Sequence, residues 1–566
     1  MKKYLSIINI LSVVIISYFL LNNKAVNKNI IIQASFICGL FEILYLKYKK
    51  NFLSLTSSAI LLIILSYLYK IFYLNNIMYM CSFLLIINLY KMIEDLNMNK
   101  EIHSYILLFL IPYTIEKSLI YKIYDLKKEI ILINFTLTMM YLYINFKNIK
   151  LNKELIKKNL LEEIQQLIIL LYPFFLLKRG SSKDIGILAT VVVILSLFLN
   201  KNFKEKITKK KEILIILSII SVLGIIISFF GNKMSEYTIE HFIEYLINIV
   251  IFISVLLINV KEETIKKLGK SIYLCSFLLV CNIFSLLLES NFTFGRISGF
   301  WNISTYSFTV GLLAILFLYM SIYYEKYRYM LITPILYVLV LFSGTRMIWL
   351  IVGVLSILIC LFSKSIKVYA GMLVIGMILT LTYKSLKPTH PIKARASAYF
   401  NIKSNTSSGS RLYMYREAVE QFKEKPLTGN GYVTYGDRAY DRHKEELNNS
   451  GVKNYDKILE AYGNYRYHAH SNFFELLCGT GLIGIISFYG FNFYLFFILL
   501  KNKINKNKEK ICDIGLLILL FYHMYGISDV TLYMGRVTEI YLWSMGIIIS
   551  YVIYKKNNEF SGRLNE

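Results

Sequence analysis

The sequence predicts an all-α, polytopic membrane protein with about 18 transmembrane helices and one large loop outside the membrane. Of its 566 residues, 56% are hydrophobic and only 17% are charged, and the mean hydropathy is +0.53. These values lie outside the range of soluble globular domains. Runs of apolar residues that are long enough to cross a bilayer also recur along the whole chain.

Each of these apolar runs has about 16 to 24 residues, enough to cross a hydrocarbon core of about 30 Å as a helix. The runs at 76–90 and 160–177 are short or weak. The first run resembles a signal peptide, but no small-residue cleavage site follows it, so we expect a retained helix. The approximate limits are 4–22, 30–46, 52–69, 76–90, 102–121, 130–146, 160–177, 184–200, 212–230, 238–260, 271–289, 303–323, 329–343, 347–363, 367–383, 473–500, 511–527 and 537–554.

The basic residues predict how the chain is oriented. Lys and Arg are more than twice as frequent in one set of alternate short loops as in the other, with dense clusters at 147–158, 201–211, 261–270 and 501–510. Short loops that are rich in basic residues lie on the cytoplasmic side. We therefore expect both termini in the cytoplasm and the long segment 384–466 on the outer face. Its own basic residues do not count, because long loops are exempt from this rule.

The net charge of +27 does not indicate nucleic-acid binding. The basic residues stand in short clusters between apolar runs, which is typical of orientation signals. The lipid bilayer is therefore an expected partner and nucleic acid is not. The seven cysteines lie in or against apolar runs, so the sequence indicates neither a disulfide framework nor a metal cluster.

Two arginines stand at predicted outer ends of the apolar runs. Arg296 lies in the segment 294–304, which is rich in glycine and hydroxyl groups, and Arg346 lies at the start of an apolar run within 343–349. A guanidinium group binds a diphosphate through two parallel hydrogen bonds, so the pair suits a pyrophosphate at the outer membrane surface. Binding to lipid phosphates is the alternative interpretation.

The long outer segment contains a predicted amphipathic helix over 410–425, which is expected to lie along the bilayer surface. Turn-forming residues at 426–431 end this helix. Residues 432–467 are rich in tyrosine, whose rings suit stacking on sugars, although the whole chain contains 46 tyrosines. The expected apolar face of the helix consists of Leu412, Tyr415, Ala418, Val419 and Phe422.

His468 and His470 lie where the polar segment ends and an apolar run begins. An ionisable side chain at a membrane boundary is a candidate for function, because its placement there costs free energy. The histidines are open to three interpretations: metal ligands, structural surface residues, or a general base that takes a proton from a sugar hydroxyl. Metal ligation is disfavoured, since no carboxylate stands at a recognisable ligand spacing. The general base is favoured, because an imidazole can take a proton from a sugar hydroxyl at neutral pH.

Two glycines distinguish the histidines from each other. On one continuous helix, Gly481 and Gly484 would lie within about 40° of the face that carries His470, deeper in the membrane. Small residues there would let a neighbouring helix pack closely and hold His470 rigidly at the surface. His470 is therefore the predicted catalytic residue, and His468 is expected to line the site.

The spacing of His470, Ser471, Gly481 and Gly484 resembles the signature of the O-antigen ligase and polymerase superfamily, which is His, then Asn, Ser or Gln, nine residues and Gly-x-x-Gly. The segment 411–431 resembles another part of that family, in which an arginine and an amphipathic helix precede Asn-Pro-Leu and Gly-x-Gly. Lys425 replaces the usual asparagine here, and the tryptophan that commonly follows the arginine is absent.

Two further segments resemble the arginine motifs of this family, Arg296-Ile-Ser-Gly-Phe-Trp-Asn302 and Ser343-Gly-Thr-Arg346. The resemblance implies that Arg296 and Arg346 bind the diphosphate of the donor and that His470 activates the acceptor hydroxyl. Arg411, His468 and Asn302 are further candidate site residues.

The resemblance implies a metal-independent, inverting glycosyltransferase with a core of the GT-C type. Its donor would be a glycan on undecaprenyl diphosphate, and its acceptor a glycolipid or another glycan. The reaction would take place at the outer face of a bacterial inner membrane. No cofactor is implied.

The family core has twelve spans, nine of them before the large outer loop. Counting back along this chain gives an N-terminal membrane extension of about six helices at 1–150, with the first nine core helices at 151–384. The extracytoplasmic loop would occupy 385–470. The last three helices and a cytoplasmic tail would follow at 471–566.

Three functions remain open after the resemblance. A ligase that transfers a finished lipid-linked polymer is favoured. A polymerase that extends the lipid-linked chain uses nearly the same chemistry. A flippase or other transporter predicts ionisable residues in the middle of spans, and the sequence contains few of them.

Overall fold

The computed structural model describes the C-terminal two thirds of the chain in most detail. The first six predicted spans lie outside the described residues, as does Arg296 with the segment around it. The described residues form helices, turns and bends, with no strand among them. They comprise 162, 164–173, 186–187, 189–194, 208–230, 232, 236–289, 302–324, 328–363, 366–386, 389–393, 396, 406–449, 468–504 and 510–564.

These residues contain thirteen helices that we label in chain order. They are α1 (Ile164–Pro173), α2 (Lys209–Ile227), α3 (Glu236–Leu257), α4 (Glu262–Glu289), α5 (Ile303–Tyr323), α6 (Arg328–Ser343), α7 (Arg346–Ser363), α8 (Ile366–Ser385), α9 (Thr406–Glu424), α10 (Tyr435–Asn449), α11 (Asn472–Ile504), α12 (Lys510–Gly526) and α13 (Gly535–Leu564). A short 3-10 helix, Thr531–Tyr533, joins α12 to α13.

Six helices among the described residues are long and apolar enough to cross a membrane: Glu236–Leu257, Ile303–Tyr323, Arg346–Ser363, Val368–Ser385, Asn472–Ile504 and Gly535–Lys555. The segments Ile164–Pro173 and Ile332–Ser343 are shorter apolar helices. The prediction of an all-helical membrane protein is therefore confirmed for this part of the chain.

The described residues belong to two compact units. One unit contains α1 and nearly all of α4, which are joined by two side-chain hydrogen bonds. The Thr264 hydroxyl donates to Gln166 at 2.7 Å, and the Cys275 thiol donates to the carbonyl of Pro173 at 3.0 Å. The other unit contains the remaining helices and all described candidate site residues.

Helix α5 forms the centre of this second unit, with most of its residues buried. It packs against α6, α7 and α12, while α13 packs against α3. The Phe308 ring meets Phe521 edge-on at 5.3 Å, and Tyr522 stacks on Tyr541 at 4.0 Å. Helix α8 instead buries few of its apolar side chains, as expected where lipid covers a surface.

The predicted amphipathic helix is present as α9, but its buried face differs from the prediction. Leu412 is 57% exposed, whereas Glu417 and Gln421 are buried beside Ala418. The Gln421 amide donates to the Tyr435 carbonyl at 3.2 Å, at the start of α10. The apolar pattern was misleading because α10 supplies polar partners that make burial of a carboxylate and an amide possible.

Candidate active site

Helix α11 is interrupted at Gly481, whose φ is 62° and ψ is −162°. The assumption of one continuous helix from His470 through Gly484 was therefore wrong. Residues 426–431, which form the turn after α9, fill the gap. The N–H groups of Asn430 and Gly431 donate to the carbonyls of Cys478 and Gly479, both at 2.9 Å.

The opposite side of the break is paired in the same way. The N–H groups of Leu482 and Ile483 donate to the carbonyls of Pro426 and Leu427, at 2.9 and 3.1 Å. A Cβ atom on Gly481 would lie 2.5 Å from the Leu427 oxygen, so a side chain does not fit there. The turn therefore takes over the hydrogen bonds that the helix loses, which makes an irregular backbone tolerable inside a membrane helix.

Gly484, unlike Gly481, lies where a neighbouring helix packs closely, which is the contact predicted for both glycines. A Cβ atom on Gly224 of α2 would lie 3.4 Å from the Gly484 Cα atom, so the two helices approach closely at these glycines. Gly481 instead contacts the turn after α9. Only one of the two glycines therefore lies at a contact between two helices.

His470 lies in a tight turn immediately before α11. Its φ is 51°, in the left-handed region that side chains rarely adopt. Its own N–H donates to Nδ1 of His468 at 3.2 Å, and the Glu475 carboxylate accepts the N–H of Ala469 at 2.7 Å. The turn brings the two imidazole rings to 4.2 Å from each other.

Asp529 is the acidic partner of His470, and the sequence reasoning missed it. Its Oδ1 atom lies 3.5 Å from Nδ1 of His470. Burial raises the pKa of the Asp529 carboxyl, whereas the contact with His470 and the electrostatic interactions with the two imidazoles lower it. The lowering effects are larger together, so the pKa lies below its usual value. The ionised carboxylate faces Nδ1, which leaves Nε2 of His470 as the nitrogen that can take up a proton.

His468 has a different environment. Burial lowers its pKa to about 4, assisted by the neighbouring His470, while Asp529 acts in the opposite direction. His468 is therefore neutral at neutral pH. Since its Nδ1 accepts the N–H of His470, its proton lies on Nε2.

Arg411 and Tyr415 of α9 lie beside this pair of histidines. The charge of Arg411 contributes to the lowered pKa of His468. The Tyr415 hydroxyl lies 3.4 Å from the His470 carbonyl and 3.3 Å from that of Ile527, so it bridges the segments before α11 and after α12. Arg411 is thus near the candidate base.

Arg346 is the first residue of α7, and Asn302 caps the start of α5. The Asn302 side chain accepts the N–H of Thr305 at 2.8 Å, which explains its position by helix capping. The hydroxyls of Ser307 and Thr345 are 2.7 Å apart, so the start of α7 is joined to the first turns of α5. Arg346 itself takes part in further contacts.

A tyrosine links the start of α5 with Asp529. The Tyr525 side chain near the end of α12 lies beside both Ser304 and Asp529. Because Ser304 is in the first turn of α5 and Thr345 contacts that same end of the helix, Arg346 and Asp529 belong to one end of the helical unit. The structure thus assembles Arg346, Arg411, His468 and His470 at this end.

Three ligand atoms from His468, His470 and Asp529 lie within 4.8 Å of one another, close enough to share a metal ion. The other contacts of these three side chains disfavour metal binding. Nδ1 of His468 already accepts a backbone N–H, and Nδ1 of His470 faces the carboxylate. The charge of Arg411 is also close to His468, which disfavours a second cation.

An apolar cavity of about 610 Å³ adjoins the histidine turn. Ser471 and Tyr415 line it near His470, and its walls continue along α11 and α12. No lining residue comes from positions 475–488 of α11, so the walls come from either side of the break at Gly481. His523 of α12 also lines the cavity, and its Nε2 atom has no hydrogen-bond partner among the described residues.

Asp529 could have been found in the sequence by the criterion that identified Arg346 and His470, an ionisable residue at the predicted outer end of an apolar run. It stands two residues after the apolar run at 511–527, at the same predicted outer side as Arg346 and His470. A search of all outer helix ends for acidic as well as basic residues would have included it. Glu475, by contrast, lies within an apolar run, and only the structure shows its contacts.

A comparison with known families identifies the part of the chain that contains most of the candidate site residues. Residues 330–489 match the model of the O-antigen ligase family. The matched range contains Arg346, Arg411, His468 and His470, while Asn302 and Asp529 lie outside it. None of the curated proteins matches the chain. The resemblance predicted from the sequence is therefore confirmed for residues 330–489, the segment that matches the O-antigen ligase family.

Proposed function

We propose that the protein is a glycosyltransferase that moves a glycan from undecaprenyl diphosphate to an acceptor hydroxyl at the outer face of the inner membrane. One observation carries the proposal. Within an O-antigen ligase domain, the histidine of the signature has its Nδ1 atom 3.5 Å from a carboxylate oxygen of Asp529. A carboxylate in this position orients a general base and stabilises its protonated form.

The proposed reaction is one displacement at the anomeric carbon. The acceptor oxygen attacks this carbon while its proton passes to Nε2 of His470. The bond from the anomeric carbon to the phosphate oxygen breaks, and the electron pair leaves with undecaprenyl diphosphate. A single displacement inverts the anomeric configuration. Asp529 stabilises the imidazolium ion that forms.

Arginines are proposed to bind the leaving diphosphate. Arg346 lies at the start of α7, and Arg296 precedes α5 in the sequence. Ser307, in the second turn of α5, contacts Thr345 at the start of α7. Guanidinium groups form paired hydrogen bonds to phosphate oxygens and compensate the charge that develops as the bond breaks. Arg411 is a third candidate for this role, because it lies beside His468.

The proposed lipid substrates agree with the surroundings of the site. The apolar cavity next to Ser471 suits a hydrocarbon chain of a substrate whose reacting group lies at His470. The acceptor is proposed to be a glycolipid or another glycan. The proposed mechanism uses only protein side chains, without a metal or cofactor.

The proposed architecture is a GT-C type core with an N-terminal extension, about 18 spans in total and both termini in the cytoplasm. The extension occupies 1–150 and the first nine core helices 151–384. The extracytoplasmic loop occupies 385–470, and the last three helices and the tail follow at 471–566.

Deletion of the protein followed by analysis of undecaprenyl-linked glycans tests the proposal. A ligase predicts accumulation of complete polymer on the lipid carrier at the outer face. Accumulation of single repeats at the outer face would support the polymerase instead. Repeats trapped at the inner face would support a flippase, and an unchanged pool of lipid-linked glycans would contradict all three functions.

A further inference from the structure

The carboxylate of Glu475 lies behind the histidine turn and is 1% exposed. It accepts two hydrogen bonds from two different segments. Oε2 accepts the N–H of Ala469 at 2.7 Å, and Oε1 accepts the hydroxyl of Tyr533 at 2.6 Å. Burial of a carboxylate costs free energy unless donors surround it, so its two oxygens are used as paired acceptors.

The two segments that Glu475 joins are those that carry His470 and Asp529. Ala469 lies between the two histidines of the turn, and Tyr533 ends the 3-10 helix that begins two residues after Asp529. A neighbouring side chain makes the same connection. Asn472 donates to the Thr531 hydroxyl at 2.6 Å and accepts the N–H of Leu532 at 3.4 Å.

The backbone of His470 needs such support. A left-handed conformation at a residue with a side chain costs about 1–2 kcal/mol. The hydrogen bond from the Ala469 N–H to Glu475 holds the peptide immediately before this strained residue. The contact between His470 and Asp529 has a separation of 3.5 Å, so a small movement of either segment would break it.

We propose that Glu475 is a positioning residue that holds the turn carrying His468 and His470 in register with the 529–533 segment, and so maintains the contact between His470 and Asp529. The proposal rests on the proposed function only in naming His470 as the base. Glu475 touches neither the substrate nor the reacting atoms, and acts through the two residues that it aligns. Only a carboxylate accepts both hydrogen bonds at once, because one end of an amide is a donor.

The test measures the chemical reactivity of His470 and needs no glycan. Diethyl pyrocarbonate reacts with the unprotonated nitrogen of an imidazole, and the modified peptide is quantified by mass spectrometry. Nδ1 of His470 is buried while its side chain is 27% exposed, so the reagent reports on Nε2. A carboxylate opposite Nδ1 holds the tautomer and ring orientation in which Nε2 carries the free lone pair, so loss of that contact slows the reaction.

Glu475→Gln is expected to lower the modification rate of His470 about fivefold, and Tyr533→Phe to lower it by a smaller factor. Asp529→Asn removes the carboxylate through which Glu475 acts. In the Asp529→Asn background, Glu475→Gln should therefore have no further effect. Glu445→Gln, the same change at an exposed carboxylate on α10, is the matched control and should leave the rate unchanged.

Two results would overturn the proposal. One is an unchanged rate in folded Glu475→Gln protein. The other is an equal loss in the wild-type and Asp529→Asn backgrounds, which would indicate a general structural effect. If Glu475→Gln does not fold, Tyr533→Phe tests the same proposal with a milder change, because it removes only one of the two hydrogen bonds to Glu475. An unchanged modification rate in Tyr533→Phe protein would then overturn the proposal. The modification rate can be measured whether or not the protein transfers a glycan, so a failure of the proposed function would be distinguishable from a failure of this proposal.

Discussion

At the scale of single residues, the contact between His470 and Asp529 predicts a graded loss of activity. His470→Ala is expected to lower glycan transfer by about 10²–10⁴-fold, because it removes the proposed base. Asp529→Asn keeps the base but loses the carboxylate on Nδ1, and should lower transfer by a smaller factor. Transfer is measured in membranes with matched protein abundance. His390→Ala, a histidine outside the cluster, is the control.

Normal transfer by His470→Ala protein at normal abundance would contradict the role of general base. A larger loss in Asp529→Asn than in His470→Ala would contradict the proposed order of roles. It would assign to Asp529 a function that does not pass through the imidazole.

His468 predicts a dependence of stability on pH. Its pKa is about 4 in the folded protein, against about 6.5 in an unfolded chain. Between these two values the unfolded chain binds the proton and the folded protein does not, so stability falls as the pH is lowered from 7 to 5. The expected loss is about 1–2 kcal/mol. It is measured as a lower thermal midpoint of the purified protein in detergent.

His468→Asn is the matched variant, since its amide oxygen can replace Nδ1 as an acceptor and does not titrate. Its thermal midpoint should fall less between pH 7 and 5 than that of the wild type. An equal fall in both proteins would assign the pH dependence to other groups.

The sequence identified His470 as the proposed base but did not predict the residues that surround it. His470 stands in a family signature at a membrane boundary, and both signals are local. Asp529 is 59 positions further along the chain, and its distance from His470 depends on how α11 and α12 pack. The left-handed backbone of His470 and the hydrogen bond from Ala469 to Glu475 beside it could not be read from residue types either.

At the scale of helices, the break in α11 predicts different effects for two glycines of that helix. An alanine at Gly481 would require a left-handed backbone and would overlap the Leu427 carbonyl. Gly481→Ala should therefore destabilise the protein by about 2–4 kcal/mol. Gly490→Ala is the control, because a Cβ atom there meets no other atom within 4 Å.

Thermal midpoints of the two variants in detergent, together with their abundance in membranes, test this expectation. Gly490→Ala should be as stable as the wild type or slightly more stable, since alanine favours a helix. Equal midpoints for Gly481→Ala and the wild type would show that the turn after α9 does not constrain α11.

The helices themselves were predictable because their signals are local. The apolar run expected at 303–323 is the helix Ile303–Tyr323, and that at 347–363 is Arg346–Ser363. The break in α11 was not predictable, since it depends on hydrogen bonds to a turn about fifty residues earlier. The buried face of α9 was missed for the same reason, because α10 supplies the partners of its polar side chains.

At the scale of the whole molecule, the proposed orientation predicts which loops a membrane-impermeant reagent reaches. In a background without native cysteines, Asn449→Cys at the end of α10 should react with an impermeant maleimide from the outer face. Asn507→Cys, between α11 and α12, should react only after the membrane is opened. Labelling is quantified on intact cells or spheroplasts and after permeabilisation.

The reverse labelling pattern would place the candidate site in the cytoplasm and contradict a reaction at the outer face. Labelling of both positions from outside would contradict the assignment of α11 as a complete span. The two positions lie on opposite sides of one predicted span, so a single pair of variants decides between these outcomes.

The docking of residues 426–431 into α11 also has a consequence for the order of folding. During insertion, the groups later paired with the turn can be satisfied if α11 enters the bilayer as an unbroken helix. The bend at Gly481 exchanges hydrogen bonds within the helix for hydrogen bonds to the turn, so we expect it to form only after the turn has docked. In the proposed orientation, a segment of the outer loop therefore completes the final shape of this membrane helix. A protease that cuts the chain between α9 and α10 would disturb a helix that the protease itself never reaches.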